Sequence, residues 1–100
     1  MRPFELTRKA KSDLYAIALY TEQQWGKAQR NLYIKQLDDA FHLIADNPAL
    51  GKNCDTLLPG YRKFPQGSHV IYYINGSNAA ITIIRILHKS MDVEPKVIGD

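Results

Sequence analysis

His69-Val70-Ile71-Tyr72-Tyr73-Ile74 and Ala79-Ala80-Ile81-Thr82-Ile83-Ile84-Arg85-Ile86-Leu87 are two β-branched and aromatic runs on either side of an Asn75-Gly76 step. Asn-Gly tolerates positive φ at both positions, so it is a strong hairpin signal between two such runs. Both strands are apolar on both parities, which predicts cover on both faces of the sheet. A third strand is predicted just upstream at Tyr61–Phe64, ended by Pro65-Gln66-Gly67. The loop from Ala49 to Gly60, with Gly51, Pro59 and Gly60, separates these strands from the N-terminal half.

The N-terminal half reads as helical. Pro3–Leu6 is a short strand, and Thr7 is placed to cap a helix over Arg8–Gln24. Its capping box is incomplete, because Ala10 stands where Glu or Gln would go. Ala10, Leu14, Ile17, Ala18 and Thr21 form one stripe at helical spacing. From Leu14 to Tyr20 the helix carries no charge at all, and Tyr15 and Leu19 point away from the Ile17 side. A helix apolar all round is normally covered all round. Either the second helix covers the Tyr15–Leu19 face or a partner does. The second helix spans Ala28–Ala45, with Tyr33, Ile34, Leu37, Ala40, Phe41, Ile44 and Ala45 as its stripe, and Asp46-Asn47-Pro48 stops it. Trp25-Gly26-Lys27 is short enough to make the two helices an antiparallel hairpin. The fold class expected is α+β: an antiparallel sheet with a helical hairpin on one face, in one domain over residues 1–100, with 93–100 an extended tail.

Composition narrows the function classes. With 45% hydrophobic and 23% charged residues, the chain is neither disordered nor low in complexity. Lys and Arg number 13 against 10 Asp and Glu, a net charge of +3, which permits an acidic partner without demanding nucleic acid. The single cysteine, Cys54, excludes an internal disulfide and a cysteine-based zinc site and reads as a free thiol. Charges at Arg2 and Glu5 stand where a signal peptide needs an apolar run, so a cytoplasmic protein is expected. His42, His69 and His88 fall on different elements with no paired carboxylate at ligand spacing, so neither a metal site nor a cofactor is expected. There is no Gly-rich phosphate loop and no nucleophile elbow, and Ser12, Ser68, Ser77 and Ser90 read as caps, turns or surface.

The segment Ile83-Ile84-Arg85-Ile86-Leu87-His88-Lys89-Ser90-Met91-Asp92 carries an arginine inside an apolar strand and basic groups at its end. On residue chemistry two readings stand. Arg85 pairs with a carboxylate such as Asp38 or Asp39, since an unpaired buried guanidinium is costly. Alternatively Arg85, His88 and Lys89 gather at one end of the sheet and meet an acidic or polynucleotide target.

Four blocks then stand in order: Asn47-Pro48-x-x-Gly51; Pro59-Gly60-Tyr61-Arg62-Lys63-Phe64-Pro65-x-Gly67-Ser68-His69; Ile71-Tyr72-Tyr73; and Ile84-Arg85-Ile86-Leu87-His88 with Met91-Asp92. In this order and spacing, over Phe4 to about Asp92, the chain resembles the RelE/ParE toxin superfamily and within it the ParE branch. ParE proteins are the toxins of ParDE type II toxin–antitoxin pairs. The resemblance implies a β-α-α-β-β-β fold and a non-enzymatic protein of the bacterial cytoplasm. It would poison DNA gyrase through the A subunit, be neutralised by a ParD-like antitoxin, and meet operator DNA only through that antitoxin. The resemblance does not fix the contact residues. From position and chemistry, the expected target-binding residues are Arg85, His88, Lys89, Met91, Asp92, Val97 and Ile98, and an apolar patch of Tyr15, Leu19 and Trp25 would suit an antitoxin helix. The competing branch, RelE, cleaves mRNA on the ribosome. Its members carry an arginine early in the middle strand, where this chain has His69-Val70-Ile71, and often a tyrosine in the C-terminal segment, where none follows Tyr73. Arg62, Lys63 and Lys89 remain as cations, and His69 and His88 as an acid/base pair for that alternative.

Overall fold

Thr7 sets the start of the first helix in the computed structural model, which describes residues 3–55, 57–76, 80–91 and 93. Its hydroxyl accepts the Ala10 N–H at 3.0 Å and donates to the Ile84 carbonyl at 2.8 Å, so one side chain caps the helix and ties it to the sheet. The elements are β1 (Phe4–Leu6), α1 (Arg8–Trp25), α2 (Lys27–Asp46), a single 3₁₀ turn (Pro48–Leu50), β2 (Lys52–Asn53), β3 (Arg62–Gln66), β4 (His69–Asn75) and β5 (Ile81–His88). Only Gly26 separates the helices. At φ +90° its N–H closes α1 on the Glu22 carbonyl while its own carbonyl accepts from Arg30 at the start of α2. An ion pair between Glu22 and Arg30 spans the same corner.

The strands form one sheet in the order β1-β5-β4-β3-β2. The α+β class holds, with two refinements. The outer β1–β5 pair is parallel, so the sheet is mixed. The loop predicted over Ala49–Gly60 contains the Pro48–Leu50 turn and the two-residue β2. Strand β3 also runs through Pro65 instead of ending there. β2 pairs only with Arg62 and Lys63, so beyond it β3 is an edge, where a missing N–H costs no ladder bond.

The helical hairpin covers one face. Ala10, Ile17, Leu37, Ala40, Phe41, Ile44 and Ala45 pack on Ile71, Tyr73, Ile81, Ile83 and Ile86. Each fully buried large aliphatic here contributes ~1.5–3 kcal/mol. The opposite face is covered from within the chain, at least in part. Cys54, Leu57, Leu58 and Tyr61 fold over Tyr72, Ile84, Leu87, Val70 and Ile74, and Val93 joins them. This segment is held by its own bonds: Asn53 accepts from the Asp55 N–H and Asp55 accepts from the Gly60 N–H, both at 2.7 Å. The second of these bonds is the main reason the Asp55 carboxyl lies below its ordinary range. The two-sided apolar strands therefore reflect a second small core.

A β-bulge decides which side chains of β5 share a face. Tyr72 pairs with Arg85 but Tyr73 pairs with Ile83, leaving Ile84 extra. Ile81 and Ile83 belong to the helix-side core; after the bulge Ile86 does, while Ile84 and Leu87 belong to the opposite one. The parity switch also sends His88 to the helix side.

Candidate functional site

The site lies where β4 begins and β5 ends. His69 and His88 are register partners there, with ring centroids 5.4 Å apart. His69 Nδ1 lies 2.6 Å from the Tyr33 hydroxyl, which also reaches the Gln66 carbonyl at 3.2 Å and accepts the Ser68 N–H at 3.0 Å. One hydroxyl from α2 thus holds the β3–β4 turn and orients an imidazole. The turn brings Gly67 (φ +59°) so near that a Cβ would stand 2.6 Å from the Tyr33 ring. Burial lowers the His69 pKa, and the neighbouring His88 lowers it further, against a smaller opposing pull from Asp13. Burial raises the Tyr33 pKa. His88 Nδ1 lies 2.7 Å from the Ser90 hydroxyl.

Both imidazoles line a cleft together with Tyr20, Thr21, Trp25, Gln29, Tyr33 and Ser68. Its helical wall carries two exposed aromatics, Trp25 at 72% and Tyr20 at 61%. Elsewhere on α1, outside the cleft lining, Tyr15 is 71% and Leu19 46% exposed. The second helix does not cover this side of α1, which resolves the alternative left open by the sequence in favour of an uncovered face.

Arg85 turns inward to α1. Its Nε and Nη2 donate to Asp13 at 2.7 and 3.0 Å, and the same carboxylate accepts the Ile86 N–H at 3.0 Å. The expected partners Asp38 and Asp39 are otherwise engaged, with His42 and Lys35 respectively. They sit on α2, whereas Asp13 lies on the helix that follows β1 along β5. The bidentate pair pushes the Arg85 pKa up. Arg85 therefore braces the end of β5.

Known proteins match nearly the whole length of this chain. Residues 4–93 match the model of the family described as ParE toxin of type II toxin-antitoxin system, parDE. The chain belongs to the ParE toxin family. It is 41% identical over 92 residues to Toxin ParE1 of Caulobacter vibrioides, covering 92% of this chain and 94% of that one. It is 37% identical over 89 residues to Toxin ParE1 of Mycobacterium tuberculosis, covering 89% and 91%. The solved structure titled "Chromosomal ParDE TA system from P. aeruginosa" superposes with a TM-score of 0.74 at 20% identity, over 88% of this chain and 96% of that chain. Membership in a ParDE system implies an antitoxin partner.

Within this ParE toxin the residues singled out from sequence separate into three places. His88 joins the helix-side cleft. Lys89 and Met91 line a groove on the opposite face with Lys63, Cys54, Leu57, Val70, Tyr72 and Val93. Arg85 sits against α1. Asp92, Val97 and Ile98 lie outside the described residues. Of the three proposed antitoxin contacts, Trp25 lines the same cleft as His88. Two residues were missed: Asp13, which the sequence marks only as an acid beside the Ala10–Leu14–Ile17 stripe, and Tyr33, whose stripe position hid the role of its hydroxyl. Among the described residues no group of three or more His, Cys, Asp or Glu gathers to hold a metal ion, and no helix is long and apolar enough to cross a membrane.

Proposed function

We propose that this ParE toxin acts by binding rather than by catalysis. It holds bacterial DNA gyrase, through the A subunit, in a state with cleaved DNA and so blocks replication in the cytoplasm. A ParD-like antitoxin neutralises it, and operator DNA is met only through that antitoxin. The target contacts we propose are at the end of β5: His88 on the helix side, Lys89 and Met91 on the opposite face, and Arg85 as their brace, together with Asp92, Val97 and Ile98. An antitoxin helix docks on Tyr15, Leu19 and Trp25. Stalling then follows from preferential binding to one gyrase conformation.

The observation that carries this reading is the shared cleft. Trp25 from the antitoxin face and His88 from the target face line one depression. An antitoxin side chain seated on Trp25 would occupy the volume a target needs beside His88, so neutralisation follows from overlap. Membership in a ParDE toxin family supports the antitoxin partner.

The test is a supercoiling assay with purified gyrase and toxin. Inhibition with accumulation of cleaved DNA is expected, reversed by antitoxin. No effect at a large molar excess of toxin over gyrase contradicts the reading. The paired histidines also suit a ribosome-dependent mRNA endoribonuclease, with one ring as acid and the other as base. Toxicity accompanied by mRNA cleavage and abolished by His88→Ala would establish that activity instead.

A further inference from the structure

We infer that His69 and His88 form a two-imidazole site for a borderline divalent cation of the Zn²⁺ or Cu²⁺ type. The two residues are direct partners across the antiparallel β4–β5 pair. The Lys89 N–H donates to the Ser68 carbonyl at 2.9 Å, which makes His69–His88 a non-hydrogen-bonded pair, the kind whose side chains stand closest. The bulge at Ile84 is what puts His88 on the face of His69. The rings are near-perpendicular, at 81°, with centroids 5.4 Å apart.

The outer partner of His69 suits ligation through Nε2. A ligating histidine usually donates its other ring N–H to a fixed acceptor, which sets the tautomer. For His69 that acceptor is the Tyr33 hydroxyl, which passes its own proton to the Gln66 carbonyl and is steadied by the Ser68 N–H. At His88 the Ser90 N–H donates to Nδ1 at 3.1 Å, so ligation through Nε2 requires a tautomer shift that breaks this exposed bond and leaves the Ser90 hydroxyl, 2.7 Å away, as the acceptor. The only buried side-chain polar atom without a partner among the described residues is His42 Nδ1. The His69 Nε2 atom, with no hydrogen bond to protein, therefore reaches solvent. His88 is exposed and lines the same cleft.

Two neutral imidazoles suit Zn²⁺ or Cu²⁺ and not a hard, oxygen-seeking cation such as Mg²⁺. Two protein ligands leave the remaining positions to water or to a side chain of whatever protein docks in the cleft. The site thus goes beyond the binding function proposed above and sits on the surface that function uses.

The experiment is a calorimetric Zn²⁺ titration of untagged, chelator-treated full-length protein, with imidazole NMR signals followed in parallel. Saturable one-to-one binding is expected, with the His69 and His88 signals shifting together. His88→Ala, an exposed position, weakens binding at least tenfold, while His42→Gln leaves it unchanged and Mg²⁺ produces no shift. Absence of saturable binding overturns the inference. So does unchanged affinity in His88→Ala or loss of binding in His42→Gln.

Discussion

Tyr73 and Tyr33 perform the same task at two places with opposite outcomes. Each hydroxyl accepts a backbone N–H and reaches a backbone carbonyl, and each lies where a glycine leaves room. Tyr73 is fully buried; it accepts the Gly51 N–H and donates to the Pro48 carbonyl, both at 2.8 Å. Arg62 closes that corner by donating to the Gly51 carbonyl at 2.7 Å. Tyr33 is only half-buried, and beyond its bonds to the Gln66–Ser68 turn lies His69 and open cleft. The same tyrosine–glycine device therefore locks a loop in one place and aims a surface group in the other. The lesson is that a hydroxyl buried among fixed backbone partners stabilises the fold, while one at a rim positions something for a partner.

The comparison can be broken most severely at Gly51. A Cβ there would meet Tyr73 Oη at 2.2 Å, and the tyrosine has no space into which to retreat. Gly51→Ala should destabilise by about 3 kcal/mol or more, combining overpacking with lost hydrogen bonds. Against a total stability of about 5–15 kcal/mol, thermal denaturation should show a Tm lower by roughly 10 °C or more.

Asp13→Ala ranks next. It strips the Arg85 guanidinium and the Ile86 N–H of one carboxylate at once. A loss of about 2–4 kcal/mol is expected in urea denaturation, because a largely buried charge loses its counter-ion. Gyrase inhibition should weaken as the end of β5 loses its brace.

Tyr73→Phe and Tyr33→Phe sharpen the contrast directly. The first leaves the buried Gly51 N–H and the part-buried Pro48 C=O unpaired and should cost about 2 kcal/mol. The second should cost about 1 kcal/mol or less, since Ser68 is exposed and water can replace the hydroxyl. Its larger effect should be on function, seen as weakened target binding with an almost unchanged Tm.

The smallest expected effect on stability is Leu19→Glu on the uncovered side of α1. A change within about 0.5 kcal/mol is expected at this exposed position. Antitoxin affinity measured by calorimetry should nevertheless fall at least tenfold, the mirror image of Gly51→Ala.

Much of the fold was legible because its signals are local. Thr7 as a cap, Pro48 as a stop and the helical stripes each act within a few residues, and each is found in place. The parallel placement of β1 beside β5 was not legible, because three residues carry no record of strand direction. Cover on the second face was legible from the strands, but what supplies it was not, because Cys54, Leu57, Leu58 and Tyr61 have no periodicity to announce a lid. At the site, His88, Lys89 and Trp25 were recognisable as chemistry, but not that His88 and Trp25 share one cleft while Lys89 lies on the opposite face. The bulge at Ile84 shifts parity halfway along β5, and strict alternation cannot foresee that His88 and His69 share a face. Asp13 was missed for the converse reason: its partner Arg85 is adjacent only after the sheet has formed.

Trp25 of the proposed antitoxin face and His88 of the proposed target face meet in one cleft. The most direct test loads immobilised toxin with the gyrase A subunit and then adds antitoxin, following the mass retained. Antitoxin is expected to release gyrase, with no complex of all three forming. A stable complex containing toxin, antitoxin and gyrase together would contradict it.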